Sequence, residues 1–385
     1  MSDINYINQW DPSNVILNDP NVDYSWKICV LQETYFAGNE IEGSSGGRIS
    51  SIFVIFFLST GFTIFPILSR TFKWIKMPLH LYLFARYFGT GVIVATAFMH
   101  LMDPAYTQIG PNSCVGVSGN WAEFPWVPAI MMISLFTIFL TDVISDVLVE
   151  RRYGGDGESH SCASDETMKA ICSGYDDDDH FNDEEHNHFL KKGSQVGFST
   201  EMTDFNSAAD DSTLTVKAER GFRSQIAAFL ILEFGILFHS VMIGLNLGAV
   251  NGNEFKTLYV VLVFHQSFEG LGIGARLSSI PWPENVSFVW AYLMCLLYGL
   301  VTPLSIAIGI GIRASYVSNP YRVNVISGVL DTISCGILIY SGLVELLARD
   351  FIFNPQSRKN LKLLTFNISS AMVGAATMAI ISKWA

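Results

Sequence analysis

Eight stretches of this 385-residue chain are each long and apolar enough to cross a lipid bilayer, and that property leaves few folds open. A spanning helix needs about 20 apolar residues, because the hydrocarbon core offers no water to satisfy backbone groups. The stretches of that length are Ile49–Ser69, Tyr82–Met102, Val127–Leu148, Phe222–Ala249, Thr257–Leu277, Val286–Ile312, Val323–Leu347 and Leu361–Ile381. Charged residues make up only 15% of the chain, too few to cover a water-soluble protein of this size. The alternation over about 10 residues that marks a membrane β-strand does not occur in these segments. The expectation is an all-α membrane protein with eight transmembrane helices. Pro66 and Pro303 fall inside helical patterns as expected kinks.

Basic residues orient the spans. With the N-terminus outside, the inner segments carry 16 Lys and Arg and the outer segments 6, the asymmetry expected of cytoplasmic loops. Both termini are then extracellular. The polar start, Met1–Asn14, has no apolar signal region, so the first span is expected to direct its own insertion.

Four regions follow: an acidic extracellular segment at 1–48, spans one to three at 49–149, a cytosolic loop at 150–221, and spans four to eight at 222–385. The loop holds 17 of the 35 acidic residues, together with His160, His180, His186 and His188, and its charge predicts disorder. Such a tract suits weak, exchangeable metal binding and contact with cytosolic regulatory machinery. Cys29 and Cys114 both fall on the expected outer side, where a disulfide can form; two free thiols are the alternative.

Ionisable side chains are costly inside a bilayer and usually face a partner or a cavity. The fourth span carries Glu233, His239, Ser240 and Asn246, with His239 and Asn246 seven apart on one helix face. The fifth carries His265, Gln266 and Glu269. His265 and Glu269 are four apart, so an imidazole and a carboxylate sit one above the other, a donor pair suited to a divalent transition metal. Gly235, Gly244 and Gly248 on one span and Gly270, Gly272 and Gly274 on the other are expected to let the two helices pack backbone to backbone. Asp142, Asp146 and Glu150 form a stripe at the inner end of the third span, read either as an exit route or as a solvated helix end. Asp103 precedes Pro104 and is expected to end its helix.

The fourth- and fifth-span motifs resemble the signature of the ZIP (Zrt/Irt-like) metal transporters, nearest to the fungal plasma-membrane zinc-uptake branch. Ser334–Phe351 in the seventh span and Ala95–Asp103 in the second are similar to the family's patterns there. The resemblance covers nearly all of residues 49–385 and implies a ZIP-like bundle. It implies that His239, His265 and Glu269 are central metal ligands, that Gln266 and Ser240 flank a second metal position, that Glu345 supplies a nearby carboxylate, and that His100 faces the pathway. Ile243 stands where many members have an acid, so a single site is expected. A homodimer and a transport domain moving against a scaffold are implied as well.

The expected function is uptake of Zn2+, with other divalent transition metals as alternative cargo, into the cytosol across the plasma membrane by a gradient-driven carrier. No Gly-x-x-x-x-Gly-Lys-[Ser/Thr] run is present for ATP hydrolysis. Zinc is the cargo; no catalytic cofactor and no nucleic-acid partner are expected. Two other classes use the same residues: an intramembrane zinc hydrolase and a metal sensor that does not transport. His265-Gln-Ser-Phe-Glu269 differs from His-Glu-x-x-His at both decisive places, and Gln266 cannot act as a general base.

Overall fold

A computed structural model describes residues 20, 24–31, 45–72, 77–153, 207–250, 252–283, 286–318, 320–353 and 360–383. Among these, eight helices are long and apolar enough to cross a membrane. They are α1 (Ser45–Thr71), α2 (Leu79–Ile109), α3 (Trp126–Tyr153), α4 (Ser207–Ala249), α5 (Gly252–Ser279), α6 (Val289–Ser318), α7 (Pro320–Tyr340, continuing through Ser341–Ile352) and α8 (Leu361–Ser382). The chain is therefore a multi-pass membrane protein. Pro66 and Pro303 lie within α1 and α6 as expected.

Two helices depart from regular winding. Thr96–Met102 in α2 and Ser341–Ile352 in α7 are π-helical. At the end of the second stretch the Phe353 N–H donates to the Ala348 carbonyl five residues back, at 2.9 Å. The α2 stretch also explains why Asp103 does not end its helix. Pro104 falls in the first turn of the α-helical piece Asp103–Ile109, where its missing N–H is not needed.

The helix ends differ from the sequence expectation around the loop at 150–221. Helix α3 continues to Tyr153 and α4 begins at Ser207. Glu219 and Arg223 form an i,i+4 pair at 2.8 Å on this polar extension of α4, and the Ser224 hydroxyl donates to Asp146 of α3 at 3.0 Å. Asp142 in turn accepts from Tyr340 of α7 at 2.7 Å, so two of the three acids of the α3 stripe anchor neighbouring helices. The loop's histidines, with Cys162 and Cys172, lie outside the described residues.

Within the acidic segment at 1–48 a short helix forms at Tyr24–Leu31, and its Cys29 is disulfide-bonded to Cys114 in the α2–α3 connection. At the same end of the bundle the buried Arg48 donates to the carbonyls of Leu247, Gly248 and Val250, capping the C-terminus of α4.

Packing divides the helices into two groups. Ile55 of α1, Leu247 of α4, Phe255 and Leu262 of α5 and Ile306 of α6 form one apolar cluster near the disulfide end. Ala105 and Ile109 of α2, Val127 of α3 and Val325 of α7 form another. Helix α8 lies on α2: a Cβ on Gly91 would meet the Ala371 carbonyl at 1.8 Å. Toward the opposite end a larger cluster joins the groups through Ile93, Phe229, Leu232, Ile273, Tyr298 and Leu338.

The glycines serve this division and do not weld α4 to α5. A Cβ on Gly244 would meet the Thr302 carbonyl of α6 at 2.8 Å, and one on Gly274 the Thr63 carbonyl of α1 at 2.0 Å. Gly272 instead faces Gly89 of α2, across the boundary between the groups. Glycine on two sequential spans reports that each has a close neighbour, without saying which.

Candidate metal centre

Helices α4 and α5 bring His239, His265 and Glu269 together. One ligand atom from each lies within 4.8 Å of the others, and all three residues are buried. The i,i+4 spacing on α5 sets His265 Nε2 3.3 Å from Glu269 Oε1. That matches the roughly 3.3 Å between two donors on one tetrahedral zinc, given bonds of about 2 Å. His239 reaches the pair from α4, its ring centroid 5.3 Å from that of His265.

The site has unspent bonding capacity. Both ring nitrogens of His239, Nε2 of His265 and Oε2 of Glu269 are buried and make no hydrogen bond among the described residues. Buried polar atoms without partners are rare, and several converging on one point indicate a ligand position. Imidazole nitrogen with carboxylate oxygen is a borderline donor set. It suits zinc and similar transition metals over magnesium and calcium, which prefer all-oxygen shells.

Helix α2 supplies two more groups, both from its π-helical stretch. Thr96 donates its hydroxyl to Glu269 Oε1 at 2.9 Å. His100 sets its ring edge-on to His265, centroids 4.9 Å apart, and its Nε2 has no partner. A π-turn carries an extra residue and often occurs where a helix must present side chains to a site.

The remaining expected residues are arranged differently. Gln266 is buried, and its Oε1 accepts from the Tyr298 hydroxyl at 2.9 Å. Ser240 is fully buried with an unpaired hydroxyl. Ile243 packs into the apolar cluster around Leu247 and Ile306, so no carboxylate replaces it there. Asn246 is exposed although it shares a helix face with His239. Glu345 does not join the three-residue cluster. Its carboxylate pairs with Arg349 at 2.5 Å, and Arg276 of α5 donates to its backbone carbonyl at 3.2 Å. Close by, Arg86 of α2 and Asp350 of α7 form a largely buried ion pair at 3.0 Å. Thr96 and Tyr298 were not singled out by sequence, since a hydroxyl in a span commonly bonds its own helix backbone.

A family profile described as ZIP Zinc transporter matches residues 45–382. The chain belongs to the ZIP family. It is 54% identical over 377 residues to Zinc-regulated transporter 1 of Saccharomyces cerevisiae, covering 98% of this chain and 97% of the relative. Zinc-regulated transporter 1 of Schizosaccharomyces pombe is 37% identical, covering 89% of this chain and 86% of its own length. More distantly, Fe(2+) transport protein 1 of Arabidopsis thaliana is 26% identical over 88% of this chain and 85% of its own. The matched span, residues 45–382, includes α2, α4, α5 and α7.

Proposed function

We propose that this ZIP protein carries Zn2+ across the plasma membrane into the cytosol, with His239, His265 and Glu269 as its central ligands. The observation that supports this most directly is the convergence of three buried donors whose ligand atoms lack other partners. His100, Ser240 and Gln266 line the same region as supporting groups, and Gln266 is held by Tyr298. Glu345 is assigned to the cytosolic end of the pathway, where it must leave Arg349 to meet the ion. The bound cation replaces hydration water with imidazole and carboxylate, and the two helix groups then expose it to the other side. Movement follows ion gradients. No enzymatic role is assigned, because Gln266 stands where a zinc hydrolase would need its general base.

Two independent arguments support outward-facing termini. Positive charge concentrates on the segments opposite, and the Cys29–Cys114 disulfide belongs on an oxidising side. The homodimer that the resemblance implies would use α3, whose exposed face carries Met132, Ile133, Phe136, Leu140 and Ile144. The loop at 150–221 is the proposed contact for cytosolic regulatory machinery.

The test is accumulation of radioactive zinc in cells lacking high-affinity zinc uptake. Protein that reaches the surface without raising accumulation above background refutes the reading.

A further inference from the structure

The face of α5 that carries two of the three clustered donors continues past Glu269. His265, Glu269, Gly272 and Arg276 stand at spacings of 4, 3 and 4, one stripe along an α-helix. Phe255, earlier on α5, belongs to the apolar cluster near the disulfide end, so Gly272 and Arg276 lie on the other side of the metal centre. Arg276 is seven residues past Glu269, about 10 Å along the helix. This stripe is the line from the centre toward the end opposite the disulfide.

Below the centre the line is closed by backbone. A Cβ on Gly272 would lie 2.6 Å from the Cα of Gly89 on α2, so the two helices touch there and leave no width for an ion between them. Two polar contacts follow on the next turn of α5. The Tyr82 hydroxyl of α2 donates to the Ala275 carbonyl at 2.9 Å and lies 3.0 Å from the Ser278 hydroxyl. Arg276 donates to the Glu345 carbonyl of α7 at 3.2 Å. All three contacts cross from one helix group to the other.

The charge here also opposes passage. Arg276 has Asp350, Arg86, Glu345 and Arg349 as its charged neighbours. Both acids are already engaged, Asp350 by Arg86 at 3.0 Å and Glu345 by Arg349 at 2.5 Å. Arg276 is thus a third guanidinium beside two carboxylates, and a fixed positive charge on that line repels a divalent cation. At the disulfide end the two groups keep separate apolar clusters, one around Leu247 and Ile306, the other around Ala105 and Val127.

We propose that Tyr82 and Arg276 form an inner latch: they hold α5 against α2 and α7, close the cytosolic side of the metal centre in this conformation, and must release before the ion can leave. The proposal rests on the transport reading and on outward-facing termini. With the latch closed, ions reach the centre from the disulfide side. From the cytosolic face an ion binds only the fraction of molecules whose latch is released, so the apparent constant there is the intrinsic constant divided by that fraction. Weakening the latch raises the fraction and lowers the inner constant, while the outer constant hardly moves.

The test measures the KM for radioactive zinc from both faces of the full chain. Intact cells lacking high-affinity zinc uptake give the outer value, and sealed inside-out vesicles from the same cells give the inner one. Tyr82→Phe removes the hydroxyl and keeps the ring. It is expected to lower the inner KM about fivefold, the scale of one net hydrogen bond, with the outer KM within about twofold. Arg276→Gln is expected to act in the same direction, Arg276→Lys to stay near wild type, and the double variant Tyr82→Phe with Arg276→Gln to lower the inner KM further than either alone. An inner KM unchanged in either single variant overturns the proposal. So does a KM that rises on both faces, which would mark damage to the centre. If Arg276→Gln fails to reach the surface, Tyr82→Phe, which alters one oxygen, decides alone. Wild-type chain at the surface without zinc uptake overturns the transport reading itself. Wild-type uptake with an unchanged inner KM in the variants overturns the latch alone.

Discussion

Thr96 on α2 holds the Glu269 carboxylate of α5 through a 2.9 Å hydrogen bond, so a residue from one helix group orients a proposed ligand carried by the other. That bond falls on Oε1, the oxygen 3.3 Å from His265 Nε2, and leaves Oε2 without a partner. Removing the hydroxyl should disturb the orientation of Glu269 without removing a ligand. Thr96→Val is expected to raise the KM for zinc uptake about tenfold, while Thr96→Ser, which keeps the hydroxyl, stays near wild type. Concentration-dependent uptake by the two variants makes the comparison.

The ligands themselves should tolerate less. His239→Ala, His265→Ala and Glu269→Ala each delete a donor from a three-residue cluster and leave buried partners unsatisfied. Each is expected to remove most zinc uptake at normal surface abundance. Near-normal uptake in any of them would take that residue out of the site.

The donor set also fixes what should compete. Two imidazoles and one carboxylate favour zinc and other late divalent metals, so a hundredfold excess of Mg2+ or Ca2+ should leave zinc uptake unchanged, while Cd2+ or Fe2+ should inhibit it. Competition uptake at fixed zinc reads this directly.

Removing the Cys29–Cys114 bridge releases a constraint over 85 residues of sequence, for which loss of a native disulfide typically costs about 2–5 kcal/mol. Cys29→Ser with Cys114→Ser should lower the thermal midpoint of the purified protein, followed by fluorescence-detected gel filtration after heating. Peptide mapping without reductant should recover the two cysteines linked.

Two glycines give opposite expectations. A Cβ on Gly89 would lie 2.1 Å from the Cα of Gly272, backbone against backbone, whereas one on Gly61 of α1 meets nothing within 4 Å. Gly89→Ala should sharply reduce the yield of monodisperse protein. Gly61→Ala should be neutral or stabilising by up to about 1 kcal/mol, since glycine costs that much in a helix.

The span count and the His265–Glu269 pair were legible because both depend on local spacing. Apolar length shows directly in the residues, and His265 with Glu269 needs only a helical turn to become a pair. What depends on a distant neighbour was not legible. Gly244 announces a close approach, but only the fold shows that the approach is to Thr302 of α6 and not to α5. Glu345 and Arg349 stand four apart, but only the fold shows that they are paired. Thr96 carries no signal in sequence, because its partner is 173 residues away. The polar start of α4 reads as loop from its charge, yet it winds as helix, with Glu219–Arg223 paired along it and Ser224 bonded to α3.

The π-helical stretch Thr96–Met102 makes this part of α2 sensitive to length more than to composition. It accommodates one residue more than an α-helical path of the same extent. Deleting a single position there would let the segment tighten into an α-helix over the same extent, so Asp103–Ile109 would keep its face toward Gly328 of α7 and the connection bearing Cys114 its place beside Cys29. What would change is the relation between Thr96 and His100 inside the stretch, which meet Glu269 and His265. The length of this stretch thus sets how α2 meets the buried cluster and leaves the rest of the bundle in register.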